Sequence, residues 1–531
     1  VGAEWLTAGW ALAGERVACQ DGPVTVTYAE LDRRSAQLAH ALQSAGAGPE
    51  VIVAVLVPRS ASLLVAITAV LRSGGTYLPV DPDLPAARQA FMIADSRARV
   101  IVCRADTRAA AASAAGPARV IDLDQDSAWI SAMPGRPPHA AITATTAAYL
   151  IYTSGSTGKP KGVIAEHRNL HHLTRLLTGF MDVGPGSRSL LFSSPSFDAA
   201  IFEIFIALAN RSSVVVLPHE AERALRVIDT IADYSVTVAT LPPTLLELLP
   251  APKLPGLRLL ISAGSALRGD VVARWTGDWA LVNAYGPTEA TVVATAGEVT
   301  AADGPAPPIG RAVPGVQVYL LDSAGRPASP GDEAEIYIGG GGVTRGYLND
   351  QALTAERYLP DPFGGTPGAR MYRTGDLAVQ LPDGRLAFQG RTDRQVKIRG
   401  FRVEPAEIET ALTSLPGIRQ AAVIAGPGHT AAASQLIGFV VPAPGARLPD
   451  LRRALAATLP AYLIPDTIQP VPYLPVNHAG KRDDAALLQI HHARASHPDH
   501  TDLQATIRAI WTDILGRTDI HPDDDFFALG G

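Results

Sequence analysis

The sequence predicts an α/β protein: a large N-terminal domain of parallel-type sheets with helices, a β-rich subdomain, and a smaller C-terminal α+β domain. Three observations predict it. Apolar runs of strand length recur as far as residue 263 with helical patterns between them. Runs without polar alternation suit strands buried on both faces, as in parallel sheets. Past Gly310 the chain turns to short strands joined by DSAGRP- and LPDGR-type turns, and from Asp393 strands and helices alternate again on a smaller scale.

In chain order, TYAELDRRSAQLAHAL begins at Thr27 with Glu30 three places on, a capping-box pattern, and Leu31, Leu38 and Leu42 make one apolar helix face. VIVAVLV at 51–57 is a buried strand, followed by the helical ASLLVAITAVLRSGG. RVIVC, YLIYT, SLLFSS, SVVVL, VTVAT and LRLLISA repeat the strand type as far as residue 263, and the Ala-rich stretch 104–140 reads as peripheral. VQVYLLD, AEIYIGG and LAFQG are the short strands of the β-rich part. QVKIRG, the helix EPAEIETALTSL, the strands QAAVIAG and QLIGFVV and the helix LPDLRRALAATL build the small domain. The expected boundaries are 1–392 for the large domain, 393–490 for the small one, 491–502 for a polar linker and 503–531 for the start of a further unit.

Composition excludes several classes. A hydrophobic fraction of 47% against 18% charged describes a folded globular chain. The net charge of −6 leaves no basic excess for binding nucleic acid. Two cysteines, Cys19 and Cys103, make neither a disulfide framework nor a structural zinc site. No apolar run reaches membrane-spanning length and the first residues lack a signal-peptide pattern, so the expectation is a cytoplasmic protein with no membrane partner.

YTSGSTGKPKG at 152–162 suits a loop whose backbone N–H groups and hydroxyls converge on an anion, with Lys159 and Lys161 adding charge. It is not a Walker A loop, because Pro160 follows the first lysine and Gly155 and Gly158 stand too close together. GGGG at 339–342 has no helix pattern after it, which rejects a dinucleotide fold. His171, His172, His491 and His492 lack ligand partners of plausible spacing and read as solvated, while His167 is placed near the wall of a site.

VTYAEL, LRSGGTYLPVDP, YTSGSTGKPKG, FDAAIFEI, NAYGPTE, YRTGDL, GRTDRQVKIRGFRVEPAEIE, LPAYLIP and a Gly-Lys pair at 480–481 fall in a fixed order. Together they resemble the adenylation domain of a nonribosomal peptide synthetase, over roughly residues 5–490. The resemblance implies the acyl-adenylate-forming fold and activation of an amino acid by ATP. DDFFALGG at the end resembles the first part of a peptidyl carrier domain, up to just before the serine that would bear phosphopantetheine. That serine is not in the sequence. A carrier domain is the implied partner, and an MbtH-like activator protein is a candidate one.

By resemblance, Thr153, Ser154, Gly155, Ser156, Thr157, Gly158 and Lys161 hold the phosphates. Tyr285 stacks on adenine beside Asn283 and Ala284, and Asp376 accepts from the ribose hydroxyls with Arg391 assisting. Thr153 and Thr288 contact the α-phosphate region, and Glu289 holds Mg²⁺. Lys481 bridges the substrate carboxylate and the nucleotide. Its surroundings depart from the family's Asn-Gly-Lys-x-Asp-Arg, with Ala479 and Asp484 at the ends. Asp393 matches the hinge about which the small domain swings between a pose with Lys481 inserted and a thioester-forming pose.

Asp198 is the expected partner of an α-ammonium group. The side-chain pocket is expected at Ala199, Phe202, Thr240, Ile261, Ala263, Ala284, Val292 and Val293, with Lys481 at the carboxylate end. No second charge lies in that set, so charged side chains are disfavoured. The set is similar to those of phenylalanine-selecting members, with Phe202 where these often carry Trp, which implies an aromatic L-amino acid. Two alternatives stand beside this reading: an acyl- or aryl-CoA synthetase, and a weakly catalytic nucleotide-binding docking module. Asp198 and the carrier-like tail weigh against the first, and the departures near Lys481 and at Ala334 favour the second.

Overall fold

A computed structural model describes residues 7, 9–155, 157–181, 183–218, 223–250, 253–398, 400–427, 434–446, 448, 450–476, 482–495 and 511. Ser156, Lys481 and the carrier-like DDFFALGG lie outside the described residues. Two large sheets form the core of the N-terminal part. The seven-stranded one runs Gly346–Tyr347, Lys161–Glu166, Ala147–Thr153, Thr76–Pro79, Ile52–Leu56, Val100–Cys103, Arg119–Asp122. The nine-stranded one has Ala280–Tyr285, Leu259–Ser262, Val238–Leu241, Arg188–Leu191, Ser213–Val216 and Val17–Asp21 as successive parallel neighbours. Antiparallel strands close its two edges, as the apolar texture alone did not foretell.

The helices between the sheets explain that texture. Ala61–Ser73 buries twelve residues on all sides, starts at the Ser60 hydroxyl, which accepts from Leu63 N, and ends at Gly74 with φ 87°. It touches strands of both sheets, and a helix apolar all round belongs in such a place. Asp198–Leu208 buries every residue from Ala200 to Leu208 against the nine-stranded sheet, which fixes its first residue at the sheet's end. At Thr27 only half of the capping box forms, the hydroxyl accepting from Glu30 N at 3.2 Å. Within the Ala-rich stretch 104–140, Arg119–Asp122 supplies the edge strand of the seven-stranded sheet.

The β-rich subdomain is a five-stranded antiparallel sheet: Val316–Leu321, Glu333–Gly340, Arg370–Gln380, Tyr358–Pro360 and Leu386–Arg391. YRTGDL lies inside its longest strand, with Gly375 at φ 76°. The small domain opens with the hairpin Val396–Ile398 and Phe401–Val403, then the helix Pro405–Thr413. Ile418–Pro427, Ser434–Pro442 and Thr467–Pro470 make its sheet.

Two expectations are corrected. The helix Asp484–Ala495 runs through 491–495, residues read as linker, because His491 finds partners there. His491 is only 9% exposed and bonds Gln469 at 2.7 Å. His172 is likewise not solvated: its ring packs so closely on the GGGG segment that a Cβ at Gly341 would stand 2.7 Å from it.

Phe439 is fully buried among Ile424, Ile437, Val471 and Leu487. Phe439→Ala is expected to cost the small domain about 3–5 kcal/mol. Hydrogen exchange of the Ile418–Pro427 amides, which reports this domain separately, checks it.

Candidate active site

The loop 154–160 joins two antiparallel strands whose last pair is Thr153 with Lys161. Gly155 admits no side chain, since a Cβ there would lie 1.7 Å from Lys159 O. Thr153 lines a cavity, and its buried hydroxyl has no partner among the described residues. A donor without a partner at a cavity wall is poised for a ligand.

The same cavity is lined by Ser154, Asp198, Tyr285, Thr288, Asp376 and Arg391, so motifs far apart in sequence meet. Asp376 accepts from Tyr285 Oη at 2.5 Å and forms a short ion pair with Arg391. Arg391 also forks onto Asp393, at 2.7 and 2.9 Å. Asn283 is buried and donates to Pro308 O at 2.9 Å beside a second cavity.

Asp198 accepts from the Thr288 hydroxyl, and burial pushes its carboxyl above the usual carboxylate range in spite of that bond. Of the expected side-chain pocket, Ala263, Ala284 and Val292 line the second cavity. Phe202, Ile261 and Val293 pack in the large core at 2%, 1% and 5% exposure, and Thr240 is also buried. Ala199 and Thr240 line neither cavity. Thr291 and Val292 both hold positive φ, 59° and 70°, an uncommon state for β-branched residues and one that strained sites retain.

Glu289 is wholly buried in the 3₁₀ turn Thr288–Ala290. One oxygen accepts from Tyr347 Oη at 2.7 Å and lies 3.5 Å from Lys161 Nζ; the other meets Arg402 at 2.7 Å. Burial alone would raise its pKa, but Arg402, Lys161 and Tyr347 more than offset this and hold the carboxyl well below the usual range. Lys161 is in turn lowered to about 8, by burial first and then by Arg402. Among the described residues no cluster of three His, Cys, Asp or Glu could hold a metal. With both oxygens engaged by cations, Glu289 as arranged here does not fit Mg²⁺.

Of the groups around Glu289, sequence reasoning named Lys161 and missed Tyr347 and Arg402; it also missed Lys397 beside Arg402. Lys397 and Arg402 are direct partners across the small-domain hairpin and so project on one face. Lys397 lines both cavities, 5.2 Å above the Tyr285 ring, and burial lowers its pKa. Period-two reading of QVKIRGFRV would have paired the two cations. Lys481 lies outside the described residues, and its neighbour Arg482 bonds Glu409 at 2.6 Å and the carbonyl of Val423, both in the small domain. Phe197 and Tyr462 also line the first cavity, and Phe401 packs on both, stacked on Tyr462 at 4.3 Å.

Comparison with known proteins gives this arrangement its family. Residues 7–348 match the model of the AMP-binding enzymes and residues 407–481 that of the AMP-binding enzyme C-terminal domain. The chain belongs to the AMP-binding enzyme family. It is 40% identical over 98% of its length to a probable non-canonical nonribosomal peptide synthetase, CymA, of Salinispora arenicola (strain CNS-205), and spans 7% of that protein. It is 37% identical to Novobiocin biosynthesis protein H of Streptomyces niveus, over 96% of this chain and 86% of that one. Among solved structures it is similar to PA1221, a nonribosomal peptide synthetase protein with adenylation and PCP domains. The TM-score is 0.79 at 31% identity, covering 93% of this chain and 97% of that one. Within the AMP-binding enzymes it is thus an adenylation domain of the nonribosomal peptide synthetase type, an ATP-dependent ligase. No described helix is long and apolar enough to cross a membrane.

His167 does not line either cavity; it is 1% exposed, and both ring nitrogens lack partners among the described residues. Burial lowers its pKa to about 4, against 6.5 for a free histidine. Between those values the unfolded chain takes up a proton that the folded one refuses, so stability falls as pH drops from 6.5 to 4 and is unaffected above. The loss is roughly 3 kcal/mol. In His167→Phe that part of the pH dependence is expected to vanish, as denaturant titrations at several pH values would show.

Proposed function

We propose that the chain activates an L-α-amino acid with ATP and passes the aminoacyl group to the phosphopantetheine thiol of a peptidyl carrier domain. The observation that carries this is Asp198. A half-buried, desolvated carboxyl lines the cavity that Thr153, Tyr285 and Asp376 share, and no described basic side chain forms an ion pair with it. A substrate ammonium supplies the missing cation, and a carboxyl raised by desolvation gains most from one.

In the proposed reaction the amino-acid carboxylate attacks the α-phosphorus of ATP. The bond to the β-phosphate oxygen breaks, pyrophosphate leaves, and an aminoacyl-AMP remains. The Thr153 hydroxyl and the loop N–H groups stabilise the phosphoryl oxygens, Asp376 and Arg391 orient the ribose, and Asp198 fixes the substrate. Lys481 is proposed to bridge the attacking carboxylate and the nucleotide. The carrier thiol then attacks the acyl carbon and AMP leaves. Asp393, forked onto Arg391, is the proposed hinge. An MbtH-like protein is a proposed activator.

The substrate is proposed to be aromatic and phenylalanine-like. Small residues at Ala199, Ala263 and Ala284, apolar Ile261, Val292 and Val293, and the lack of a second charge support this.

Amino-acid-dependent exchange of pyrophosphate into ATP, run across the proteinogenic amino acids and para-substituted phenylalanines, tests the reading. The strongest exchange is expected with an aromatic. Exchange with none of them, with and without an MbtH-like protein, overturns it. Asp198→Ala is expected to lower kcat/KM for the amino acid about 10- to 150-fold, the worth of a charge-assisted bond of 1.5–3 kcal/mol. Phe202→Trp is expected to shift preference to smaller side chains in the same assay; an unchanged ranking would remove Phe202 from the pocket.

A further inference from the structure

Four charged side chains of the small domain meet outside both cavities and have no part in the reaction as drawn. Arg482 donates to Glu409 at 2.6 Å, to Asp484 at 2.5 Å and to the Val423 carbonyl at 3.3 Å. Arg394 donates to the same Glu409 oxygen at 2.8 Å and to the same carbonyl at 3.2 Å, and stands 3.8 Å from Asp484. That oxygen also accepts from Val423 N at 2.9 Å. Charge-assisted bonds of this kind are the strong ones. The side chains of Arg482 and Glu409 are 18% exposed, against 51% and 47% for Arg394 and Asp484, so the inner pair is the least screened.

Glu409 lies two residues past Glu407 on the helix Pro405–Thr413, and residues so spaced face different ways. Glu407 pairs with Arg88 of the large domain at 2.5 Å, whereas the partners of Glu409 belong to the small domain. The cluster thus ties two places within that domain. Arg394 directly follows Asp393, and Arg482 directly follows Lys481. The backbone past Lys481 is fixed as well. Arg482 pairs with Val476 as an antiparallel bridge, and Asp483 N donates to Pro475 O at 2.9 Å. The Asp483 carboxylate accepts from Ala486 N at 3.0 Å and so caps the helix Asp484–Ala495.

The sequence marks the same spot. The pattern this stretch resembles, Asn-Gly-Lys-x-Asp-Arg, sets its arginine three places after the lysine. Here Asp484 stands there, and the arginine comes one place after, at Arg482. A guanidinium beside the lysine ammonium repels it unless anions match it. Glu409 and Asp484 match it and hold it on the small domain.

We propose that Arg482, held by Glu409, is the positioning residue for Lys481: the pair fixes the backbone from which the lysine reaches the substrate carboxylate. This rests on the adenylation reading. Arg394 shares the carboxylate and ties the same point to the segment that follows Asp393. A charge held in place before the substrate arrives loses little freedom on meeting it.

The test is a double-mutant cycle on the full chain, read by ATP–pyrophosphate exchange with the amino acid that exchanges most strongly. Arg482→Gln is expected to lower kcat about tenfold with KM for ATP and amino acid little changed, and Arg482→Lys to restore part of the loss. In a Lys481→Ala background, Arg482→Gln is expected to have no further effect, because the lysine it positions is gone. The same fold-loss in both backgrounds overturns the proposal. Hydrogen exchange supplies a readout that needs no catalysis. In Glu409→Gln the amides of Arg482 and Asp483 are expected to exchange about tenfold faster, while those of Ser434–Pro442 keep their protection and show that the domain is folded. Unchanged exchange at 482–483 overturns the proposal as well. Full pyrophosphate exchange in Lys481→Ala would remove the lysine from the reaction and the proposal with it. Failure of the wild-type chain with every amino acid would sink the adenylation reading, while hydrogen exchange would still decide whether Glu409 holds this segment.

Discussion

A wholly buried carboxylate, Glu289, is the constraint around which the active-site end of the molecule is arranged. Such a charge is costly unless matched. Its partners come from three segments: Lys161 and Tyr347 from neighbouring strands of the seven-stranded sheet, and Arg402 from the small domain. Its backbone carbonyl accepts from Thr344 N and Oγ1 as well. Segments far apart in sequence are thus held at one point by electrostatics, beside the apolar cluster of Val163, Val343 and Tyr347.

The hairpin that brings Arg402 is shaped by the same need. Lys397 and Arg402 stand opposite each other in register, and like charges so placed repel. Glu289 offsets one, and the negative field of Asp376 together with the Tyr285 and Phe388 rings favours the other. Away from these partners the hairpin would keep the repulsion and lose the compensation. Its sequence is matched to a seat on the large domain, where Phe401 and Tyr462 pack their rings on Phe197.

How much was legible in the sequence follows from how local each signal was. The buried parallel strands announced themselves because both faces need apolar residues, and the loop at 152–162 because glycines and hydroxyls cluster there. The antiparallel closing strands carry no such mark. Asp198, Tyr285, Asp376 and Arg391 were placed by motif order and do line one cavity. Lys397, Arg402, Glu407 and Arg88 escaped notice because their meaning arises only where two domains touch. His491 was read as solvated because polar composition hides a helix whose one buried face finds glutamines.

Thr153 and Lys161 face each other as the last register pair below the loop. A hydroxyl and an ammonium are thereby set at a spacing dictated by sheet geometry, like the jaws of a caliper. In the proposed reaction that spacing is set by the sheet and not by the loop, so a change in loop length leaves it in place.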